Sequence, residues 1–121
     1  MPTRERVQAF VAMVEAGDYV EAIRQFYTDD ATMQENLGII RTGRDTLLAA
    51  EDIVLKTVQI TTRPGTVFMV DGDRAAVNWV FDIVLADGRK YPLDEVAWQH
   101  WRGDRIAQER FYYDPAQRKP E

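Results

Sequence analysis

The spacing of apolar residues changes once along the chain, near Lys56, from a helical period to an alternating one. The first segment has apolar residues at i, i+3, i+4 and i+7, which predicts an amphipathic helix over roughly residues 3–16. These residues are Val7, Phe10, Val11 and Val14. Beyond Lys56, apolar and polar residues alternate, as in strands with one buried face. Helices followed by a run of strands predict an α+β domain whose helices pack on one face of a sheet.

Two more helices are predicted before the change of period. Gly17 is placed to end the first helix, and a second helix spans about residues 18–27. The segment Thr42-Gly43-Arg44-Asp45 has the form of a capping box and predicts the start of a third helix. The apolar face of this third helix uses Leu47, Leu48, Val54 and Leu55.

Glycine-containing turns divide the second half of the chain into strands. We expect a bend at Pro64-Gly65, a two-residue hairpin loop at Asp87-Gly88 and a further turn at Gly103-Asp104. The predicted strands cover roughly residues 58–63, 66–70, 75–85, 89–101 and 106–113. Together they form a long antiparallel meander.

The composition excludes several classes of protein. The 121 residues, 45% of them hydrophobic and 29% charged, fit a single domain over residues 1–121 with its own core. The longest apolar run is far below the roughly 18 residues that a membrane span needs, and the N-terminus shows no secretory signal. A net charge of −5 with scattered basic residues argues against nucleic acid as a partner.

Cysteine is absent and histidine occurs once. These counts rule out disulfides and thiolate chemistry, and they argue against a transition-metal site. We therefore expect a cytoplasmic protein that uses neither a metal nor a cofactor.

The hairpin turns divide the strand residues between two faces of the sheet, if Ala86 pairs with Arg89 and Arg102 with Arg105. The expected mixed face carries Asn78, Val80, Asp82, Val84, Leu93, Glu95, Ala97, Gln99, Trp101, Ile106, Gln108, Arg110 and Tyr112. The expected apolar face carries Val77, Trp79, Phe81, Ile83, Leu85, Val96, Trp98, Ala107, Phe111 and Tyr113. Either face could lie under the helices.

Each choice has its own consequence. If the expected apolar face lies inside, it forms the core and leaves Asp82, Glu95 and Gln99 in water. If the expected mixed face lies inside, it lines a cavity, and the opposite face is too apolar to remain bare. A homodimer would then bury Trp79, Phe81, Ile83 and Trp98.

The order of these segments resembles ketosteroid isomerase and, more broadly, the nuclear-transport-factor-2-like superfamily with its SnoaL-like polyketide cyclase branch. The segments that carry the resemblance are Gly17-Asp18, Ala22-Ile23, Phe26 to Thr32, Thr42 to Asp45, Arg105-Ile106 and Tyr112. The resemblance implies a cone-shaped, cystatin-like α+β fold, in which a curved antiparallel sheet wraps three N-terminal helices around a pocket. In this family the outer sheet face is often used for dimerisation, which favours the mixed face inside.

The resemblance also implies roles for single residues. Glu35 matches the aspartate base of the isomerase, Phe10 its oxyanion-hole tyrosine and Ala97 its protonated oxyanion-hole aspartate. Neither Phe10 nor Ala97 can donate a hydrogen bond, and losing one such donor costs about a hundredfold or more in rate. Steroid isomerase activity is therefore not expected.

Three carboxylates are the predicted catalytic residues: Glu35, Asp82 and Glu95. Glu35 would act as the base. On the assumed register, Asp82 and Glu95 are diagonal neighbours, so that one of them would hold a proton inside a cavity. The alternatives are a solvated Glu35 and an exposed acidic patch that Arg110 neutralises. The predicted substrate-binding residues are Phe10, Tyr27, Asn78, Val80, Ala97, Gln99, Arg110 and Tyr112.

Three more residues depend on the register of the last strand. The resemblance places pocket groups near Glu109, Tyr113 and Asp114, and a bulge in the last strand would exchange its inward set for these positions. His100 is expected on the outer face.

Three functions remain open from the sequence. The first is a cofactor-free isomerase, cyclase, dehydratase or hydrolase that acts on a small apolar or mixed-polarity molecule. The second is a non-catalytic ligand-binding or dimeric association module. The third is a structural dimer whose cavity is filled.

Overall fold

The computed structural model describes residues 1–119. Its helices are α1 (Arg4–Glu15), α2 (Tyr19–Phe26) and α3 (Arg44–Thr57). Its strands are β1 (Tyr27–Glu35), β2 (Ile40–Thr42), β3 (Gln59–Thr62), β4 (Val67–Asp71), β5 (Arg74–Val84), β6 (Lys90–Arg102) and β7 (Arg105–Tyr112), and a 3-10 turn covers Pro115–Arg118. The predicted run of strands after Lys56 is confirmed, but two further strands, β1 and β2, already lie between α2 and α3. None of the described helices is long and apolar enough to cross a membrane.

Local sequence explains where the helices begin and end. The Thr3 hydroxyl accepts a hydrogen bond from the Arg6 N–H at 3.0 Å and caps α1. Gly17, at a φ of +86°, follows the end of α1 as expected. The capping box predicted for α3 is absent: Gly43 is the N-cap at a φ of +98°, and Thr42 is paired in β2 instead.

The strands form one seven-stranded sheet in the order β2-β1-β7-β6-β5-β3, with β4 also paired to β5. Strands β3 and β4 pair with successive halves of β5, on either side of the bend expected at Pro64-Gly65. The sheet is mixed rather than wholly antiparallel, because β1 runs parallel to β7. The predicted α+β class, with helices on one face of a curved sheet, is confirmed.

The register of β5 against β6 differs from the expected one by one residue. The Leu85 N–H donates to the Arg89 oxygen, so the loop contains Ala86 as well as Asp87 and Gly88. Gly88 has a φ of +87°, as three-residue loops with a left-handed final residue require. A slip of one residue turns every side chain of one strand to the other face.

This slip corrects the expected faces for the whole of β5. Trp79, Phe81 and Ile83 point inward, so they cannot form the expected dimer interface. Asn78, Val80, Asp82 and Val84 point outward. The expected assignment of β6 was right: Leu93, Glu95, Ala97, Gln99 and Trp101 are buried on the inner face, whereas Val96 and Trp98 lie outside.

A bulge at Ala107 exchanges the faces of β7. Trp101 pairs with Ile106 but His100 pairs with Gln108, so Ala107 is an extra residue. Beyond it, Glu109 and Phe111 point inward. The positions predicted to lie inside, Gln108, Arg110 and Tyr112, point outward.

The three helices cover the inner face of the sheet. Phe10 of α1 makes edge-to-face contacts with the rings of Phe26, Tyr27, Trp79 and Trp101, at centroid distances of 5.4–6.2 Å. Such aromatic contacts add to the area that the rings bury. Helix α3 presents Leu47 to the same core, whereas its Ile53 is 65% exposed. The two sides of α3 should therefore differ in their effect on stability.

The substitution Leu47→Ala should lower the free energy of unfolding by about 2–4 kcal/mol, because it leaves a cavity in the core. Ile53→Ala on the same helix is the matched control and should change it by less than about 0.5 kcal/mol. Urea unfolding followed by circular dichroism measures both. Equal losses in the two variants would contradict the placement of α3.

Candidate functional site

A cavity of about 710 Å³ lies between the helices and the inner face of the sheet. We call it the site cavity. Most of its lining is apolar and comes from α1, α2, α3, β5, β6 and β7. Residues of this lining include Phe10, Ile23, Leu47, Val54, Trp79, Phe81, Ile83, Leu93 and Phe111. Four glutamates interrupt the apolar lining: Glu35, Glu51, Glu95 and Glu109.

Glu109 is held by a chain of buried hydrogen bonds. The Trp101 indole N–H donates to the Gln99 amide oxygen at 2.9 Å, and the Gln99 amide nitrogen donates to Glu109 Oε2 at 2.6 Å. The Tyr27 hydroxyl donates to the other oxygen, Oε1. Because an indole can only donate, Trp101 fixes which end of the Gln99 amide faces Glu109.

Two opposing effects act on the pKa of Glu109. Only 3% of the residue is exposed, and this burial raises its pKa to about 7. The hydrogen bonds from Tyr27 and Gln99 act in the other direction, because they stabilise the ionised form. Burial and the charge of Glu109 raise the pKa of Tyr27 well above its ordinary value, so Tyr27 remains a hydrogen-bond donor.

Glu95 lies in the same cavity without such partners. It is 6% exposed, and none of residues 1–119 donates a hydrogen bond to its carboxyl group, whose oxygens are open to the cavity. Burial raises its pKa to about 8, and the charge of Glu109 adds to the shift. At neutral pH Glu95 is therefore mostly a carboxylic acid, while Glu109 is poised between its two forms.

The other two glutamates lie closer to solvent. Glu51 of α3 is partly buried, and burial followed by the charge of Glu35 raises its pKa. Glu35 is the last residue of β1 and is exposed at the rim of the cavity, on the same side of the strand as Met33. Arg41 and Arg118 also line the cavity and are exposed.

The pairing of Asp82 with Glu95 is wrong. Asp82 lies on the outer face, where Arg63 donates two hydrogen bonds to it at 3.0 and 2.8 Å, and the ion pair lowers the pKa of Asp82. Asp82 therefore does not line the site cavity. The predicted position of Glu95 is correct, because Glu95 is buried and faces the cavity.

The predicted substrate-binding residues divide between the two faces. Phe10 and Tyr27 line the site cavity, and Gln99 lies behind Glu109. Ala97 is fully buried in the sheet, beside Phe111. The remaining four lie on the outer face: Asn78, Val80, Arg110 and Tyr112.

The outer-face residues have partners of their own. Asn78 donates to Asp94 at 2.7 Å, and Arg110 donates to the Asn36 backbone oxygen at 2.8 Å. His100 lies on this outer face, as expected. Asp114 caps the 3-10 turn by accepting from the Ala116 N–H at 2.9 Å, so it is not a cavity group.

Glu51 is the cavity residue that the sequence interpretation missed. It follows Leu47 by four residues and precedes Leu55 by four, so it shares the apolar stripe of α3. A single acidic residue on such a stripe is the signal that could have identified it. The acidic cluster does not have the geometry of a metal site: within the described residues, no group of three or more His, Cys, Asp or Glu side chains could hold a metal ion.

Comparisons with known proteins agree with this geometry. The family model of the SnoaL-like domain matches residues 7–109. No curated protein matches the chain. A candidate SnoaL-like polyketide cyclase of known structure from Mesorhizobium loti is 24% identical, with a TM-score of 0.79 over 93% of this chain and 100% of that one.

Two other solved structures have the same fold. A candidate polyketide cyclase from Pseudomonas putida is 23% identical, with a TM-score of 0.82 over 97% of this chain and 95% of its own. An epoxide hydrolase of the LEH-like type from M. tuberculosis is 13% identical, with a TM-score of 0.76 over 93% of this chain and 83% of its own. At these identities the similarity shows the fold alone.

The Tyr27→Phe substitution should raise the pKa of Glu109 above about 7, because it removes a donor that stabilises the ionised carboxylate. Carbon-13 NMR titration of the glutamate carboxyl groups measures this change. Tyr112→Phe on the outer face is the matched control and should leave the titration unchanged. A pKa of Glu109 that stays the same in Tyr27→Phe would contradict the role given to Tyr27.

Proposed function

Because the chain belongs to the SnoaL-like domain family, we propose that it binds a small, largely apolar molecule in the site cavity and performs cofactor-free acid–base chemistry on it. Isomerisation, cyclisation, dehydration and hydrolysis are reactions of this kind. Solved structures designated as a candidate polyketide cyclase and an epoxide hydrolase share the fold, which is compatible with such chemistry. We further propose that residues 1–121 form one domain and that the reaction takes place in the cytoplasm.

One observation carries the proposal: the same apolar cavity holds two buried carboxyl groups with different partners. Glu109 accepts hydrogen bonds from Tyr27 and Gln99, which favours the carboxylate. Glu95 accepts no side-chain hydrogen bond from residues 1–119 and favours the protonated form. Carboxyl groups that differ in this way supply a base and an acid at the same pH.

The proposed roles follow from these partners. Glu109 takes a proton from the substrate, and Glu95 gives one to it. Tyr27 and Gln99 are positioning residues that hold the Glu109 carboxylate in place. Glu35, at the rim, exchanges protons between the cavity and solvent.

The positions of Glu95 and Glu109 also suit the removal of a proton from one part of a substrate and the addition of a proton to another part. Glu95 and Gln99 lie four residues apart on β6, roughly 13 Å along the strand, and Gln99 pairs with Glu109. The backbone positions of Glu95 and Glu109 are therefore separated along the sheet, although the two carboxyl groups are near enough for the charge of Glu109 to raise the pKa of Glu95. A substrate that spans the cavity loses a proton near one and gains a proton near the other.

A ligand-binding module without chemistry is the second candidate. It is favoured by Phe10 and Ala97, which stand where the resemblance to ketosteroid isomerase requires hydrogen-bond donors. On this hypothesis the glutamates only select the ligand. The two candidates differ in whether a carboxylate of the cavity can remove a proton from carbon.

The probe 5-nitrobenzisoxazole tests for such a base. A carboxylate takes its C–H proton while the ring N–O bond breaks, which yields a coloured cyanonitrophenolate. We expect the protein to accelerate this reaction, with a rate that rises with pH through an apparent pKa of about 7 as Glu109 ionises. Glu109→Gln should lower the rate by about a hundredfold or more.

Asp82→Asn is the control for this experiment, because it removes a carboxylate that lies outside the cavity. Its rate should stay within about twofold of the original protein. Equal rates for Glu109→Gln and the original protein, or no acceleration over acetate in solution, would rule out the catalytic proposal in favour of the binding module.

The expected homodimer also remains a proposal, although through other residues. The outer face keeps a contiguous apolar strip of Val96, Trp98 and Tyr112, each 40–44% exposed. Basic residues lie beside one end of this strip and acidic residues beside the other. The basic residues are Arg74 and Arg110, and the acidic residues are Asp82 and Asp94. A second copy related by a two-fold axis would place opposite charges together.

Sedimentation equilibrium tests this association. The original chain should sediment with twice the mass of one chain, and Trp98→Glu should shift it towards the monomer because a charge enters the apolar strip. Ile53→Glu, an exposed position on the helical side, should leave the dimer intact. A monomer for the original chain at millimolar concentration would contradict the proposal.

A further inference from the structure

We propose that the molecule bound in the site cavity carries a positively charged, alkylated nitrogen, which lies between the glutamates and the aromatic residues of the wall. The inference rests on the proposed function, because it names the class of ligand for the same cavity. It follows from the number of glutamates, from the lack of partners of one of them, and from the aromatic residues beside it.

The cavity holds more acidic groups than acid–base chemistry needs. A proton donor and a proton acceptor account for Glu95 and Glu109, and Glu35 exchanges protons at the rim, which leaves Glu51 without a role in that chemistry. The basic residues of the lining, Arg41 and Arg118, are exposed. Several carboxyl groups in an apolar space stay ionised together only if a positive charge lies among them; otherwise some of them keep a proton.

Glu95 is the buried glutamate of the cavity whose carboxyl group forms no hydrogen bond with the described residues. Glu95 is only 6% exposed and lines the cavity. None of the described residues donates a hydrogen bond to its carboxyl group. Its carboxyl oxygens are open to the cavity, because none of the fully buried side-chain oxygens in the described residues lacks a partner. A cationic group of a ligand beside Glu95 would supply the missing partner.

Aromatic rings lie next to Glu95. Trp79 is its direct cross-strand neighbour on β5, and Trp79 stacks on Phe81 with centroids 5.9 Å apart. Phe81 and Phe111 are only partly buried and line the cavity. The arginines that stack on rings elsewhere use rings outside the cavity: Phe26, Phe68, Trp98 and Tyr112. Trp79 itself is only 2% exposed, so Phe81 and Phe111 are the rings that a bound group can reach, and aromatic rings attract alkylated ammonium groups.

The spacing of the glutamates favours an organic cation over a metal ion. They come from four separate elements, β1, α3, β6 and β7. No group of three acidic, His or Cys side chains in residues 1–119 has a metal-binding arrangement. A cavity of about 710 Å³ fits a bulky organic ion with its apolar body against the wall.

Binding of the cation should depend on pH. The charged and titratable groups that act on Glu95 are the glutamates at 35, 51 and 109 and the guanidinium of Arg118. Raising the pH removes the protons from Glu95 and Glu109, and the cation then meets negative charge instead of neutral acids. Its affinity should increase from acidic to mildly basic pH.

Two probes of equal shape separate charge from shape. The cation [4-(hydroxymethyl)phenyl]trimethylammonium and the neutral 4-tert-butylbenzyl alcohol differ in one atom, nitrogen for carbon, and neither of them titrates in this range. By isothermal titration calorimetry at about pH 8.5, the cation should bind at least about tenfold more tightly than the alcohol. At about pH 5.5 that preference should fall below about threefold.

A substitution of Glu95 tests whether the preference for the cation over the alcohol arises in the site cavity. Glu95→Gln should weaken binding of the cation by about fivefold or more and leave the alcohol within about twofold. Glu5→Gln, an exposed position on α1, is the control and should change neither. Retention of the full preference for the cation in Glu95→Gln would overturn the inference.

The outcomes also separate this inference from the proposed function. If the alcohol binds as tightly as the cation at both pH values, the inference is overturned while the acid–base proposal still stands. If neither probe binds, the inference is overturned too, and the benzisoxazole reaction decides separately whether Glu109 acts as a base.

Discussion

One extra residue in β7, Ala107, decides which side chains of that strand enter the interior. The pairing of Gln99 with Glu109 depends on it, since a regular strand would place Gln108 opposite Gln99. The bulge therefore brings an acidic group where an amide would otherwise lie. The hydrogen bonds from Tyr27 and Gln99, and the position of Phe111 in the cavity wall, all follow from this shift.

The bulge also sets up a contrast between two buried acids. Removing a carboxylate from water is costly unless hydrogen bonds replace those that water made. Glu109 receives two of these bonds, and the amide that gives one of them is itself held by Trp101. The carboxyl group of Glu95 receives none from the described part of the chain and keeps its proton to a higher pH. The difference between acid and base in this cavity comes from neighbours rather than from residue type.

The sequence predicted the elements of this fold far better than their faces. The helical period of α1, the end at Gly17 and the alternation of β6 are local signals, and all of them agree with the structure. The faces of β5 and β7 depend on single inserted residues, Ala86 in the loop and Ala107 in the strand. The parallel pairing of β1 with β7 joins residues about 80 positions apart, which no local pattern indicates.

The same limits explain the outcome at the site. Glu95 and Gln99 were placed correctly because they lie on β6, whose register with the inner face did not change. Asp82 was misplaced with the rest of β5, and its bond to Arg63 could not be expected without knowing that β3 pairs there. Glu109 was predicted only on the condition of a bulge. The sequence around Ala107 contains no glycine or proline that would mark one.

The inner face that results differs from both arrangements drawn from the sequence. Aromatic residues of β5 and acidic residues of β6 and β7 share it, so that Trp79 lies directly across from Glu95. A wholly apolar face would have filled the space under the helices, and a wholly mixed face would have left it without aromatic walls. The slipped register combines the two. The polar groups of the cavity wall are carboxyl groups on β6 and β7, whereas Phe10 and Ala97 offer no side-chain hydrogen-bond donor.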